Sequence, residues 1–581
     1  MAAPPPRSDH RIILHFDYDC FYASVLEVEQ PVLKSLPLAV QQKQIVVTCN
    51  YEARRRGLRK LQLISEAKRI CPDVVIVLGE DLTKFRDASK DLYHYLRTFV
   101  WGDRVERLGF DELFLDVSDM IEHNVGLLNP NNLQNSFFCL SRQDPAVGFA
   151  YDATTFHGHT YPSESETDRL SASSWPDRDQ LYVKLLVASH LAGYLRGQLE
   201  HDKGYTATVG VSTCKALSKL ASSAHKPDDQ TALLPPYDWT QGTESNVIKF
   251  LDSHEIRKIP GIGSKIARSL KTHLIESPRL GSSDSGLVDD KITVHDVRHF
   301  PGMGPGLLEQ ILARPGSSKE IGVRVWNLIY GVDDSEVLEA RDFPTQISIE
   351  DSYRQLDTFE AVKRELVSLS TNLIRRVRVD LTEKDEDTDS GIRWLAHPRT
   401  FRLSTRPKAS PAASAARAHS FNRVSRSAPL PQYVFNLGER VDALGGRLVQ
   451  DLVLSMFRKL HPERSGWSLS LLNVAVTNMV ECAGEQKRSS GRDIKQMFQR
   501  QETVLKEWMV PEPTPAELDS RLEVHQGHGV WEESDDDEAI PSVICSRCGA
   551  SIPHFALVAH EVYHSAGEDE VMRTEQEQIN A

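Results

Sequence analysis

The sequence predicts a multidomain protein of mixed α/β and α+β class, on three observations. First, its 581 residues, 40% of them hydrophobic, suffice for roughly three to five domains with real cores. Second, strand-like apolar runs alternate with helical spacing over residues 11–120. Third, two of those runs, Ile12–Ala23 and Leu108–Asp116, carry carboxylates where apolar burial should end.

The first strand candidate, Ile12-Ile13-Leu14-His15-Phe16, closes on Asp17-Tyr18-Asp19. Val74–Leu78 is another. Leu82, Phe85, Leu92, Leu96 and Phe99 fall at helical spacing through Leu82–Val100. Residues 121–178, rich in Asn, Ser, Asp and Pro, read as a long loop or insertion. Leu181–Glu200 is a helix, Ala207–Val211 a strand and Lys215–Ala224 a helix. Residues 246–335 look helical, with turns at Pro260-Gly261 and Pro301-Gly302. From Ile347 the pattern changes to a small α+β domain. Its helices are Glu360–Val379 and Asp442–Leu460, its strands Trp394–Ser404, Tyr433–Leu437 and Ser468–Val476. An Ala/Ser/Arg/Pro-rich disordered loop is expected over 407–431. After 481 the chain is polar and linker-like until about 543.

The net charge of −14 conceals an asymmetry. Residues 481–581 hold 21 acidic and 9 basic residues, whereas 391–480 hold 13 basic and 4 acidic. The basic module is a candidate phosphate-binding surface; a solvated charged face is the alternative. No stretch is long and apolar enough for a membrane span, and Met1–His10 has no signal-peptide core. The eight cysteines are scattered apart from Cys545 and Cys548. This fits a reducing, intracellular setting and a metal site at that pair.

Side by side, the two acidic strands would gather Asp17, Asp111 and Glu112 into one hard-oxygen site of the kind that holds two magnesium ions for phosphoryl or nucleotidyl transfer. Side chains alternate along a strand, so Asp111 and Glu112 reach one site only if the strand ends there. The carbonyl of Tyr18 could add a ligand. Either acidic motif alone is usually just surface.

Asp17-x-Asp19-x-Phe21-Tyr22-Ala23, Phe110-Asp111-Glu112 and Val211–Ser222 continuing to Lys226-Pro227 resemble, in order, the motifs of Y-family translesion DNA polymerases. The resemblance covers roughly residues 11–475. It is greatest to the iota branch, on Gly109, where most relatives carry Ser, and on Val40-Gln41-Gln42-Lys43 and Val47–Arg54. It implies a right-hand polymerase: palm 11–30 and 82–240 with insertion 121–178, fingers 31–81, thumb 241–335 and little finger 345–480. It also implies low-fidelity insertion of deoxynucleotides opposite damaged template bases, with Mg2+ or Mn2+ on Asp17, Asp111, Glu112 and the Tyr18 carbonyl. Asp19 is either a ligand or structural. Tyr22 would be the steric gate against a 2′-hydroxyl. Tyr51, Arg54 and Lys226 would bind the triphosphate, although Lys226-Pro227-Asp228 departs from the family's Lys-Pro-Asn. Lys215 would be structural or DNA-proximal. Gln42 and Lys60 would line the nascent pair, in a site narrowed toward Hoogsteen pairing of template purines.

Ile259-Pro260-Gly261-Ile262-Gly263-Ser264-Lys265 is a helix-hairpin-helix signature. Gly261 and Gly263 let backbone amides approach a DNA phosphate without reading sequence; a plain tight turn is the alternative. In the basic module, Arg399, Arg402, Arg406 and Lys408 suit phosphate tracking. Cys545-x2-Cys548-x11-His560-x3-His564 has the spacing of a tetrahedral Zn2+ site in a finger over 543–566, after a disordered linker 481–542. It resembles the ubiquitin-binding finger of polymerase eta, but Val562 replaces the acidic residue expected between the histidines. Ile494–Phe498 is either a clamp-docking motif or a solvated helix.

The partners implied are primer-template DNA, deoxynucleoside triphosphates, and ubiquitin or a ubiquitinated sliding clamp, with no membrane, in the nucleus. Two other readings compete: a catalytically silent DNA- and ubiquitin-binding scaffold at stalled forks, and a nucleotide cyclase. Intact Asp17, Asp111 and Glu112 disfavour the scaffold, and a cyclase needs no grip on duplex DNA.

Overall fold

The computed structural model describes residues 2–163, 179–238, 245–276, 291–313, 319–341, 343–384, 391–408, 423–463, 467–482, 542–544 and 551–553. The chain divides into two units, Met1–Cys482 and Ala483–Ala581.

In chain order the first unit begins β1 (Ile13–Tyr18), α1 (Phe21–Glu29), β2 (Leu38–Gln42), β3 (Ile45–Cys49), α2 (Tyr51–Arg55), α3 (Ile64–Ile70), β4 (Val75–Leu78) and α4 (Thr83–Arg97). It continues β5 (Val105–Leu108), β6 (Glu112–Asp116), α5 (Ser118–Gly126), β7 (Ser136–Cys139), β8 (Gly148–Tyr151), β9 (His159–Tyr161), α6 (Gln180–Lys203), β10 (Ala207–Ser212), α7 (Lys215–Ala221) and β11 (Gln230–Leu233). The main sheet runs β5-β6-β1-β10-β11-β9, with β1 antiparallel to both β6 and β10. Ile13, Leu14, His15 and Phe16 are all buried, which suits a central strand covered on both faces. The long α6 starts on an Asp179 cap, whose carboxylate accepts from the Leu181 amide, and stops at Gly204, whose φ of +77° suits glycine.

Three strands, β3-β2-β4, form a satellite sheet with its own small core of Ala39, Val46, Cys49, Ala53, Leu58, Ala67 and Cys71. The helices α8 (Asn246–Asp252), α9 (Ser264–Glu276), α10 (Val294–Arg298), α11 (Pro305–Leu312) and α12 (Ile321–Ile329) share one continuous apolar core with the main sheet, through residues such as Leu251, Trp326 and Ile329.

A second module follows: β12 (Gln346–Leu356), α13 (Phe359–Leu381), β13 (Thr382–Lys384), β14 (Ile392–Trp394), β15 (Ala396–Pro407), β16 (Val424–Pro429), α14 (Val441–Leu448), α15 (Leu454–Leu460) and β17 (Leu469–Glu481). Its sheet runs β12-β17-β15-β16 over a separate core that includes Leu366, Leu373, Phe401, Leu403, Phe457 and Val474. One π-helical turn, Val449–Val453, joins α14 to α15, so the helix expected over 442–460 is continuous.

Four expectations change. Tyr433–Leu437 is not a strand: Gln432–Phe435 forms a 3-10 turn that follows Pro431. The loop expected over 407–431 contains β16, paired to β15 from Thr400 to Thr405; its polar sequence carries no apolar alternation. Residues 121–178 are more than an insertion loop. They hold the β7–β8 hairpin and β9, which forms the edge of the main sheet beside β11. The linker expected to run to 542 reaches a described strand at its end, for β18 (Ser542–Ile544) pairs antiparallel with β19 (Ser551–Pro553). Cys545, Cys548, His560, His564, Val562 and Ile494–Phe498 lie outside the described residues.

Candidate active site

The antiparallel register pairs Asp17 of β1 directly with Glu112 of β6. Directly opposed residues project to the same face, so both carboxylates stand together at one end of the sheet. Asp111 precedes β6, in the three-residue turn that links it to β5. Gly109 opens that turn at a φ of +76°, in the left-handed region. The Tyr18 amide donates to the Asp111 carbonyl at 2.8 Å, which ties the turn to the end of β1. The strand thus ends where Asp111 and Glu112 can share a site.

Two lysines already serve these groups. Lys226 Nζ lies 2.5 Å from Asp17 Oδ2, and Lys219 Nζ donates to Glu112 Oε2 at 2.5 Å. Burial and the neighbouring Glu112 raise the Asp17 carboxyl above the ordinary carboxylate value, against the opposing pull of Lys226. Burial raises Asp111 as well, followed by the charges of Glu112 and Asp17. Among the described residues, no three acidic, imidazole or thiol groups are gathered to hold a metal ion as they stand. The donor set is nonetheless all hard oxygen, and mutual repulsion at Asp111 marks a site that favours cations. Lys219 was not singled out from the sequence; its partner lies 107 positions away.

Asp19 is 2% exposed and its oxygens are engaged by the protein. Oδ2 accepts from the Asp228 amide at 2.8 Å, and Oδ1 from Thr208 Oγ1 at 3.1 Å and Tyr51 Oη at 3.4 Å. It braces β1, β10, α2 and the turn after Lys226. In that turn Asp228 adopts a φ of +48°, which Asp tolerates as Asn does, and Arg196 holds its carboxylate at 2.6 Å. The Lys226-Pro227-Asp228 departure therefore still forms an ordered turn.

The Tyr22 ring, half-buried on α1, stacks on Phe85 with centroids 4.3 Å apart and 22° between planes. On α2, the Arg54 guanidinium sits 4.4 Å over the Tyr51 ring, and Arg54 Nε donates to the Cys49 carbonyl at 3.1 Å. Asn50 caps that helix by accepting from the Ala53 amide. Gln42, at the end of β2, donates to the Gly79 carbonyl at 2.7 Å. Lys60 lies on the exposed turn after Leu58, outside this network. Lys43, beside Gln42, reaches the second module instead: Nζ donates to Asp351 Oδ1 at 2.6 Å and to the Ser352 carbonyl at 2.8 Å.

Gly261 has a φ of +89°, and a Cβ there would stand 2.9 Å from Leu328 Cδ1. A Cβ at Gly263, by contrast, would meet nothing within 4 Å, so that backbone is open. A cleft of about 780 Å3 separates this turn from the main sheet, lined by Leu108, Phe114 and Lys219 on one side and Pro260, Gly261 and Arg324 on the other. Lys219, the partner of Glu112, lines the same cleft as the glycine turn. In the second module, Arg402 and Arg406 share the β15 face opposite Phe401 and Leu403. They donate to Gln346 Oε1 at 2.7 Å and Ser470 Oγ at 3.1 Å, and Arg399 and Lys408 are exposed.

Residues 16–223 match the impB/mucB/samB family and residues 344–489 match that family's C-terminal domain. The chain is 32% identical over 481 residues to DNA polymerase iota of Homo sapiens, covering 82% of this chain and 53% of that protein. It is 27% identical over 396 residues to DNA polymerase eta of Arabidopsis thaliana, 66% of this chain and 52% of that one. It is 26% identical over 348 residues to DNA polymerase IV of Pseudomonas syringae pv. tomato, 59% of this chain and 70% of that one. The chain spans about half the length of the iota and eta polymerases it matches.

Proposed function

Because this chain belongs to the impB/mucB/samB family, whose two domains match more than half of its residues between them, we propose that it is a Y-family DNA-directed DNA polymerase. Its reaction would be low-fidelity insertion opposite damaged template bases. The observation that carries this reading is the register pairing of Asp17 with Glu112, with Asp111 in the turn beside them.

The main sheet is the palm, the satellite sheet the fingers, α8–α12 the thumb and the second module the little finger. Asp17, Asp111, Glu112 and the Tyr18 carbonyl would hold two Mg2+ or Mn2+ ions, whose charge activates the primer 3′-hydroxyl and neutralises the departing pyrophosphate. Arg54 offers forked donors and Tyr51 a hydroxyl to the triphosphate. Lys226 would leave Asp17 for that triphosphate. Gln42 and Lys60 are assigned to the nascent pair. The amides around Gly261 and Gly263 would hold a backbone phosphate, and Arg399, Arg402, Arg406 and Lys408 would track the duplex.

Tyr22, fixed against Phe85, would lie under the incoming sugar and exclude a 2′-hydroxyl by clash. Tyr22→Ala should then relax sugar discrimination by about 2–3 kcal/mol, or roughly 30- to 150-fold in ribonucleotide insertion. Steady-state insertion of rNTP against dNTP measures it, and an unchanged ratio would remove Tyr22 from the gate.

We assign Zn2+ to Cys545, Cys548, His560 and His564, ubiquitin or a ubiquitinated clamp to that finger, and the nucleus to the protein on account of its substrate. Among the described residues no helix is long and apolar enough to cross a membrane. In a pull-down with the full chain, Cys548→Ala should lose ubiquitin. Equal retention by wild type and variant would place ubiquitin binding elsewhere.

A further inference from the structure

Lys215 and Lys219 project from α7 one turn apart toward the same two strands, yet their pairs differ in kind. Lys215 Nζ donates to Glu106 Oε2 at 2.9 Å, and that oxygen also accepts the Leu338 amide at 2.9 Å. The pair anchors the segment leading away from the thumb. Among the described residues, Lys219 Nζ pairs with Glu112 Oε2, on the face that Asp17 shares.

Three carboxylates at one sheet end need counter-charge, and two ammonium groups supply it. Lys226, on Asp17, is expected to move to the triphosphate; no substrate group is assigned to Lys219. The helix that carries Lys219 cannot retreat. A Cβ at Gly210 of β10 would stand 1.9 Å from the Ser218 carbonyl, so α7 lies directly on the sheet. Ala216, Leu217, Ser218, Leu220 and Ala221 are buried. The Lys219 side chain, 29% exposed, stands in the wall of the 780 Å3 cleft, where it is free to swing.

We propose that Lys219 is a displaceable counter-ion: it neutralises Glu112 until the metal arrives, and it competes with the cation for that carboxylate. The inference rests on the two-metal reading above. It makes Lys219 a positioning residue that weakens metal binding in the resting protein, delaying full occupancy until nucleotide and DNA bring further charge to the site.

The test is direct Mn2+ binding to the full chain without DNA or nucleotide, followed by the EPR signal of free Mn2+. Lys219→Met keeps the apolar stem and removes the charge, so it should tighten carboxylate-dependent Mn2+ binding by about three- to tenfold. Lys219→Arg should restore wild-type affinity, and Lys215→Met should stay within about twofold of it. Unchanged or weaker binding by Lys219→Met, in a protein whose thermal midpoint matches wild type, would overturn the proposal. The Asp111→Asn, Glu112→Gln variant separates the two readings. If wild type binds Mn2+ no better than this variant, the two-metal assignment fails and the counter-ion role with it.

Discussion

Primer extension by the Asp111→Ala, Glu112→Ala variant should fall on the order of a thousandfold or more, equivalent to about 4 kcal/mol of lost transition-state stabilisation. Its affinity for primer-template should stay within about twofold of wild type, because the phosphate contacts proposed above lie on the glycine turn and the second module. The fold should survive too. Asp111 binds its proton more tightly in the folded chain than in the unfolded one, so its ionised form weakens the fold at neutral pH, and that cost fades as pH falls through the raised folded value. The thermal midpoint of Asp111→Ala alone at pH 8 should therefore equal or exceed that of wild type. Without bound cations, burial holds the Asp17 and Asp111 carboxyls above the ordinary value, so protons should compete with cations there to a higher pH than at exposed carboxylates. A silent scaffold would show intact DNA binding and no extension to lose.

Asp380→Ala should release the second module from the first. The Asp380 side chain, on α13, is 1% exposed. Its oxygens accept from Lys90 Nζ of α4 at 2.8 Å and from Arg376 Nε at 2.8 Å. Arg86 of α4, 7% exposed, is buried within electrostatic reach of the same carboxylate. Removing the buried anion leaves three cations in one seam, of which Arg86 is buried and Lys90 and Arg376 partly so, a change that costs up to roughly 3 kcal/mol. Because Lys90 and Arg86 belong to one module and Asp380 and Arg376 to the other, the loss falls on docking. Heating should then resolve two unfolding transitions where wild type shows one, and cleavage in the 331–345 connection should accelerate. Burial alone would raise the Asp380 carboxyl; hydrogen bonds from Lys90 and Arg376 outweigh it and hold the group below its ordinary value of 3.8. A depressed pKa contributes stability above the unfolded value and loses it as pH falls through the folded one. Docking should therefore hold above about pH 4 and weaken below it. A single unchanged transition in the variant would show that the seam carries no docking energy.

Much of this architecture was legible in order along the chain. Apolar runs carrying Asp17 and Asp111-Glu112 announced strands, and because alternate side chains face apart, Asp111 and Glu112 could share a site only at a strand end, where Asp111 indeed lies just before β6. Long helices such as α6 and α13 followed from apolar periodicity. Short or polar elements did not. The three- and four-residue strands β7, β8 and β9 leave no periodic trace in a segment rich in Asn and Ser, and β16 is recognised only by its partner β15. Pairings across long separations were equally silent: Lys219 with Glu112, and Asp380 with Lys90. Nothing in a single helix says that one of its aspartates will be buried against another module. Lys43 shows the same limit, since its partners lie more than 300 positions away.

The most direct test of the central claim is single-nucleotide insertion by the full chain opposite an abasic site, in Mg2+ or Mn2+, with the Asp111→Ala, Glu112→Ala variant beside it. Wild type should insert a deoxynucleotide opposite the lesion and the variant should not. Extension that always halts one nucleotide before the lesion, or insertion that survives in the variant, would overturn the polymerase assignment.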